Sequence, residues 1–507
     1  MRDSLVYHLF CPREYLKAGR ILYIEGNLYS AFPKGQEVLM TLLLGVAGDR
    51  AAQGFSLLQH LAMVGAVYSV ARLMVGPWAA AFCAIGCATV PPAIYFAGCG
   101  YVEPALLMDL GASLLTLTLL LHSRGERSAE KAVGWKGSAF LGFLAGWMPA
   151  LKYTGVIYLG LIGFLLLWNQ KRAPATKVLI SSTAYSLAAL PGLCWMVWNW
   201  ITLGNPVFPM AWSVLGGIGW DDSRARAMDI YFNLFGMGKD SLDYLLLPWR
   251  LAFSGRFDSV RFDGAMGPFL LIFLIGAVVA LALSGEDRWI RAVPKGMGFA
   301  VLASAALFVL GTQQARFWMP TQVLICIASA PAIERLVRLT RKDGAVKVVV
   351  GAIVAASLIW NLTFLGRQFF KVAYYEPALN LEEEKAFLKG TIPGYPAMEF
   401  INSHLPERSR LLLVWTGAYG YYLGRSYYSD TFLEDVTIKR LIDSSGNGKE
   451  LSRRLTEAGF SHLYVQLSLL EKNMDPSQRK IFGDFRAKQA EELFRFKDYA
   501  VLAVPRY

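Results

Sequence analysis

Long apolar runs follow one another through most of this chain, separated by short charged loops. Pro77–Phe96, Pro104–Leu121, Met266–Leu283 and Val346–Leu365 each approach the roughly 20 residues a helix needs to cross ~30 Å of hydrocarbon. Charged residues make up only 17% of the chain, against about a quarter in an ordinary soluble domain. The pattern implies a polytopic integral membrane protein, mainly α, built as a bundle of spanning helices.

Ten spans are expected, at 55–74, 77–96, 104–122, 137–150, 153–168, 178–201, 266–285, 296–312, 317–334 and 345–366. The apolar stretch Val38–Ala47, bounded by Glu37 and Asp49, is too short to span and reads as a helix at the interface. Four loops concentrate the basic residues: Arg124, Arg127, Lys131 and Lys136; Lys171, Arg172 and Lys177; Arg288, Arg291 and Lys295; then Arg335, Arg338, Arg341, Lys342 and Lys347. With ten spans all four fall on one side, which the positive-inside rule makes cytoplasmic. The net charge of +12 is thereby accounted for, and no basic, aromatic-interleaved segment argues for nucleic acid.

Three larger pieces then face outward: residues 1–54, the loop 202–265, and the tail from 367 to 507. The expected division is a membrane domain over 1–366 and a small extracytoplasmic α/β domain over 367–507. Strand-like stretches at Arg410–Val414, His462–Gln466 and Ala500–Val504 alternate in the tail with helical patterns at Ala397–His404, Lys449–Ala458 and Gln478–Phe494. No signal peptide or span precedes Met1-Arg2-Asp3 to carry it outward, so a first helix is expected upstream of this reading frame.

Ionisable groups at the edge of hydrocarbon are costly and mark functional sites. Asp3, His8, Glu37, Glu103, Lys152 and Arg316 all fall at the outer edge of this topology. Each has a plainer reading. Asp3 precedes an amphipathic stretch reaching Gly19 and suits a helix N-cap. Glu103, just before Pro104, suits the first turn of a helix, where a carboxylate complements the dipole. Lys152, isolated in Trp147-Met148-Pro149-Ala150-Leu151-Lys152-Tyr153-Thr154-Gly155, fits an interfacial anchor or a phosphate site. Arg316 opens a span in Gln313-Gln314-Ala315-Arg316-Phe317-Trp318-Met319-Pro320 and fits either an anchor or a bidentate phosphate contact.

Other motifs are missing. The chain has no GxxxxGK[ST] loop, no HExxH and no GxSxG, which disfavours nucleotide-driven transport and zinc or serine hydrolysis by those motifs. Its six cysteines form no CxxC pair; Cys83 and Cys87 share a helix face in an apolar setting without histidine and read as packing residues. No ligand cluster declares a metal. Asn361-Leu362-Thr363 matches a glycosylation sequon inside a span, where it carries no meaning.

Taken in order, these motifs resemble a family. Asp3 with Tyr7, His8 and Leu9, then Phe32-Pro33 with Glu37, then Lys152-Tyr153-Thr154-Gly155, are similar to the GT-C membrane glycosyltransferases. The resemblance is to the bacterial branch related to protein O-mannosyltransferases and aminoarabinose transferases. Gly204-Asn205-Pro206-Val207-Phe208-Pro209, Leu247-Pro248-Trp249, Gly267-Pro268 and Arg316-Phe317-Trp318-Met319-Pro320 extend it to about residue 366, and Tyr421-Tyr422-Leu423-Gly424-Arg425 continues it in the tail.

The resemblance implies a GT-C helix bundle in the bacterial inner membrane. It implies inverting transfer of a sugar from a polyprenyl-phosphate donor to a lipid, glycan or protein hydroxyl at the outer face, with or without a divalent cation. Asp3 then matches the catalytic carboxylate of the first outer loop, and Glu103 the second outer-loop acid, where Asp is more usual. Lys152 and Arg316 match positions near the donor phosphate, with Tyr7, His8 and Glu37 in support. The family also carries a membrane helix ahead of the first-loop acid. Two other classes stay in view: a solute or lipid transporter, which predicts midplane charges and symmetric halves, and a non-catalytic membrane scaffold.

Overall fold

The computed structural model describes residues 3–122, 133–282, 288–372 and 381–505. Arg124, Arg127 and Lys131 of the first basic loop, and the end of the expected span 266–285, lie outside them. The chain divides into two units. One comprises Met1–Ala31, Asp221–Ala227 and Phe369–Tyr507; the other comprises Phe32–Trp220 and Met228–Gln368. The expected boundary after residue 366 falls beside the break at Gln368–Phe369. Residues 1–31 and 221–227, expected on the membrane side of it, instead pack with the tail.

The chain opens with a π-helical turn, Ser4–His8, that runs into α1 (Phe10–Ala18) and ends at Gly19 in the left-handed conformation. The second unit is a helix bundle: α2 (Gly35–Arg72), α3 (Pro77–Ala88), α4 (Pro91–Gly98), α5 (Glu103–His122), α6 (Trp135–Leu151), α7 (Gly155–Trp168), α8 (Ala175–Ala189) and α9 (Cys194–Leu203). It continues through the short α10 (Trp212–Leu215), α11 (Asp222–Asn233, whose first turns belong to the other unit) and α12 (Ser241–Phe253). The last bundle helices are α13 (Phe269–Ala282), α14 (Arg288–Leu310), α15 (Ala315–Ala328), α16 (Ala330–Lys342) and α17 (Gly344–Val372).

Helices underlie all ten expected spans. Among the described residues, four stretches are long and apolar enough to cross a membrane by themselves: Gly35–Arg72, Glu103–His122, Ala175–Leu203 and Gly344–Phe370. The expected span 77–96 is two helices, α3 and α4, bent by 62°. Pro91 and Pro92 supply no N–H to the carbonyls behind them, so the first helix cannot continue and Val90 turns extended. Val38–Ala47 is helical, but it is continuous with the span that follows. Only Gly48, at φ 77° and ψ −175°, interrupts α2. The expected span 317–334 likewise runs from α15 across Ser329 into α16, where Arg335, Arg338, Arg341 and Lys342 end the apolar pattern.

Small residues set how closely the bundle packs. A Cβ on Gly192 would lie 1.6 Å from the Gly146 carbonyl oxygen, and one on Gly142 2.1 Å from that of Tyr185. Helix α6 therefore meets α8 and the turn after it backbone to backbone, as small-residue interfaces between membrane helices do. Several polar groups inside the bundle are matched in pairs. Gln36 and Gln59 exchange amide hydrogen bonds of 2.8 and 3.0 Å, and Ser304 links Tyr158 to Thr321 through hydroxyls.

In the other unit, five strands form a mixed sheet in the order β2-β1-β3-β5-β4. They are β1 (Arg410–Val414), β2 (Ser426–Ser429), β3 (His462–Gln466), β4 (Glu491–Phe496) and β5 (Tyr499–Ala503). Strand β1 runs parallel to β2 and β3, while β5 is antiparallel to β3 and β4. Leu412 and Val414 face one core with the helices Val436–Asp443, Gly448–Glu457 and Pro476–Lys488; Leu411 and Leu413 face another with Tyr395–His404. Burial on both faces explains why Arg410–Val414 reads as a continuous apolar run.

The expected helix over 478–494 stops at Lys488, and Glu491–Phe496 is an edge strand. Its pairing with β5 across the turn at Lys497 outweighs the helical propensity of its glutamates. Strand β2, too short and tyrosine-rich to stand out in the sequence, exists through its pairing with β1.

The N-terminal segment is held to the end of β2. Thr431 N–H donates to the Gly26 carbonyl at 2.9 Å, the Thr431 hydroxyl donates to the same oxygen at 3.0 Å, and Leu28 N–H donates to that hydroxyl at 2.7 Å. Gly26 sits at φ 79°, and a Cβ there would lie 2.6 Å from the Ser429 carbonyl oxygen. Gly26→Ala is expected to cost about 2 kcal/mol or more, from left-handed strain plus this clash. Thermal unfolding of the full chain in detergent will read it as a lowered melting temperature; an unchanged one contradicts the account.

Candidate active site

Glu103 is the first residue of α5, and Pro104 at the next position fixes the start of the helix. Its side chain is 3% exposed, and Oε1 accepts a hydrogen bond from Lys152 Nζ at 2.8 Å. The carboxylate thus meets a lysine as well as the dipole of its own helix. Lys152 follows directly on α6. Pro149 weakens the last turn of that helix, and Lys152 itself is extended at φ −158°, ψ 143°. Gly155 closes the turn by donating to the Lys152 carbonyl at 2.8 Å, and a Cβ there would lie 2.0 Å from the Met148 carbonyl oxygen. Tyr153 pins the turn: its hydroxyl donates to the Phe208 carbonyl at 2.9 Å and accepts from Asn199 Nδ2 at 2.8 Å.

Arg316 is the second residue of α15. Ala315 N–H, in the first turn, donates to the Phe262 carbonyl at 2.5 Å and fixes where the helix begins. Both cations lie within cation–π range of the Phe317 ring: Lys152 Nζ is 4.1 Å from its centroid and the Arg316 guanidinium carbon 5.4 Å. Attraction to the same aromatic ring offsets part of the repulsion between the two positive groups. Lys152 thus links Glu103, 49 residues before it, to the same ring that Arg316 meets.

A second charged pair adjoins them. Lys34 Nζ and Glu37 Oε1 are 3.9 Å apart at the start of α2, and both side chains are almost sealed from solvent. Their segment packs on the Lys152 turn: Phe32 meets Tyr153 edge-on at 5.8 Å, and Gly35 lies against the Ala150 carbonyl. Sequence reasoning singled out Glu37 and passed over Lys34. The available signal was a lysine between Pro33 and Gly35, immediately ahead of an apolar helix.

Asp3, Tyr7 and His8 belong to the other unit. Asp3 is the half-buried N-cap of the π-helical turn, where Leu9 N–H reaches the Ser4 carbonyl at 2.8 Å; it makes no side-chain capping bond. Pro12 lacks the N–H that would bond the His8 carbonyl, which leaves the preceding turn out of α register. The Tyr7 ring stacks on Tyr29 at 5.0 Å and lies 3.9 Å from the His8 ring; both Tyr7 and His8 are buried. Asn27 Nδ2 donates to the Val6 carbonyl at 2.8 Å, tying the turn to the residues that Thr431 holds.

Beside Thr431, the buried Asp430 accepts from Arg224 at 2.5 Å, from Tyr428 at 3.2 Å and from Thr437 N–H at 2.8 Å. Burial pushes the Tyr23 phenol up to about 12, with Tyr428 adding to the shift and Arg224 opposing it, so Tyr23 is no base at neutral pH. Burial also works to raise the Asp221 carboxyl. The Ser223 hydroxyl, the Arg224 amide and the charges of Arg224 and Arg440 outweigh it and hold that carboxyl below its ordinary value. Sequence reasoning found none of Asn27, Arg224, Asp430 or Thr431; Asn27 reaches back 21 residues, and the others act across hundreds.

Among the described residues, no three His, Cys, Asp or Glu side chains come together as a metal site.

Lys152→Met is expected to cost about 2 kcal/mol, because it strands the Glu103 carboxylate in a nearly closed environment. Adding Glu103→Gln should restore most of that loss. A double-mutant cycle read by thermal unfolding in detergent tests this; strictly additive effects would mean that the pair is not coupled.

No family model and no curated protein matches this sequence. Solved structures do. ArnT from Cupriavidus metallidurans, bound to undecaprenyl phosphate, shares 14% identity over 99% of this chain and 93% of its own, at TM-score 0.59. The Archaeoglobus fulgidus oligosaccharyltransferase in the apo form shares 12% identity over 100% of this chain and 71% of its own, at TM-score 0.52. The same enzyme tethered to an acceptor peptide containing the NVT sequon shares 11% over 94% and 66%, at TM-score 0.52.

Proposed function

From the GT-C fold, which this multi-pass chain shares with those structures, we propose that it transfers a sugar from a polyprenyl-phosphate donor to a hydroxyl acceptor at the outer face of a bacterial inner membrane. One observation carries the reading: Lys152 and Arg316 meet the same aromatic ring, with a buried carboxylate bonded to the lysine, at helix starts and ends of a membrane bundle. Paired cations at the edge of hydrocarbon suit a lipid-borne phosphate, which brings two negative oxygens to the place where its tail can stay in the bilayer. ArnT, solved with undecaprenyl phosphate, carries a ligand of this kind.

In this reading the acceptor hydroxyl gives its proton to the Asp3 carboxylate as its oxygen bonds to the anomeric carbon. The bond from that carbon to the phosphate oxygen breaks on the opposite face, which inverts the centre. The electron pair leaves with the polyprenyl phosphate, which gains one negative charge. Lys152 and Arg316, fixed before the reaction, stabilise that charge without reorganising. Glu103 is the second outer-loop acid, and through its 2.8 Å bond it sets where the Lys152 ammonium stands. Tyr7 and His8 brace the turn that carries Asp3, and Glu37 braces Lys34.

The basic loops at the other edge of the bundle support an outward-facing orientation for the site and for the tail. The acceptor is a lipid, a glycan or a protein. The neighbour solved with an acceptor peptide illustrates the last class on this fold.

Reconstitution in liposomes with polyprenyl-phosphate sugars tests the proposal. A positioned base contributes roughly 10²–10⁴-fold, so Asp3→Asn should lower kcat by about that factor with little change in donor binding. Arg316→Ala should weaken donor binding and slow transfer together. Wild-type rates in both variants would end the assignment.

A further inference from the structure

Gln313 stands out among the buried polar groups that the reaction leaves unused. It is 1% exposed, and neither its Oε1 nor its Nε2 meets a hydrogen-bond partner among the described residues. Other buried amides are at least half satisfied. Gln322 gives its Nε2 to Cys326, and Asn361 donates to the Thr89 carbonyl at 2.8 Å. The adjacent Gln314 donates to the Thr312 hydroxyl at 3.3 Å. An amide buried with both ends unpaired is destabilising where it stands, and a leucine of similar size would fill the position without that cost.

Its place is informative. Gln313 lies in the link between α14 and α15, three residues before Arg316. Its Oε1 is wedged against Gly236, where a Cβ would come within 2.4 Å of it. Gly236, at φ 120°, gives its own N–H to the Val260 carbonyl at 2.9 Å and offers nothing to the amide. The side chain is thus held in position by main chain, at the segment that presents Arg316, without being satisfied by either.

The chemistry of the missing partner follows from which atoms are unpaired. A phosphate oxygen only accepts, so it would satisfy Nε2 and leave Oε1 stranded. A hydroxyl both donates and accepts, and two neighbouring hydroxyls satisfy both ends of an amide. We infer that Gln313 is a specificity residue for the donor, its amide binding hydroxyls of the transferred sugar next to the phosphate that Arg316 holds. The inference rests on the donor reading given above and names the part of the donor that this residue reads.

The experiment compares lipids with and without the sugar. Full-length protein in nanodiscs is titrated with undecaprenyl phosphate and with its mannose, glucose and 4-amino-arabinose esters, for the wild type, Gln313→Leu and Arg316→Ala. Wild-type protein should bind at least one sugar ester more tightly than the bare lipid phosphate. Gln313→Leu should weaken that ester about tenfold or more while leaving undecaprenyl phosphate within twofold. Its lipid-free melting temperature should not fall, because the substitution removes an unpaired buried amide.

Equal weakening of ester and bare phosphate would overturn the inference, as would no change in either or a wild type that binds all four lipids alike. Gln313→Met gives the same comparison if the leucine variant does not fold. Arg316→Ala should weaken every lipid. If it weakens none, the phosphate site fails, whatever Gln313 does to the ester-to-phosphate ratio.

Discussion

The bundle's candidate site is organised by one ion pair, the 2.8 Å contact between Lys152 and a Glu103 carboxylate that solvent hardly reaches. A charge at the edge of hydrocarbon is tolerable only if another charge and oriented dipoles meet it. Each local feature of the site serves that requirement. Pro104 starts a helix whose positive end lies at Glu103, and Pro149 ends the helix that delivers Lys152. Gly155 lets the next helix turn back in contact with Met148, and Tyr153 anchors the turn to the loop after α9. Phe317 then gives the ammonium an aromatic face that Arg316 also approaches.

The other unit solves a different problem, which is to hold a short, irregular N-terminal segment in one conformation. It does so mostly with main-chain groups. The Gly26 carbonyl, Leu28 N–H and Val6 carbonyl are taken up by Thr431 and Asn27, and the neighbouring Asp430 draws in Arg224 from the first turn of α11. The turn carrying Asp3 is thereby fastened to the end of a sheet strand rather than left to its own weak helical propensity. A segment of this length could not stay ordered alone.

The likeness to solved GT-C structures at 11–14% identity has the same physical basis. A bundle in lipid constrains apolar length, small residues at close crossings and the few polar groups it can bury. Many sequences meet those demands, so the fold persists when almost every residue has changed.

Much of this was legible in the chain itself. Apolar length and period mark every helix beneath an expected span, because hydrocarbon demands internally bonded backbone. Glu103, Lys152 and Arg316 announce themselves as lone charges beside apolar runs, and the buried strands Arg410–Val414 and His462–Gln466 read as unbroken apolar stretches. The sequence did not reveal the bend between α3 and α4, the edge strands β2 and β4, or the packing of residues 1–31 with the tail. Nor did it reveal the pairing of Glu103 with Lys152, the second pair at Lys34, or the unsatisfied amide of Gln313. Local composition determines which segments are helical and where charge is costly, because those costs are set within a few residues. Which charge meets which is decided only when distant segments close on one another, since electrostatic and hydrogen-bond energies depend on separations in space that the order of residues does not contain.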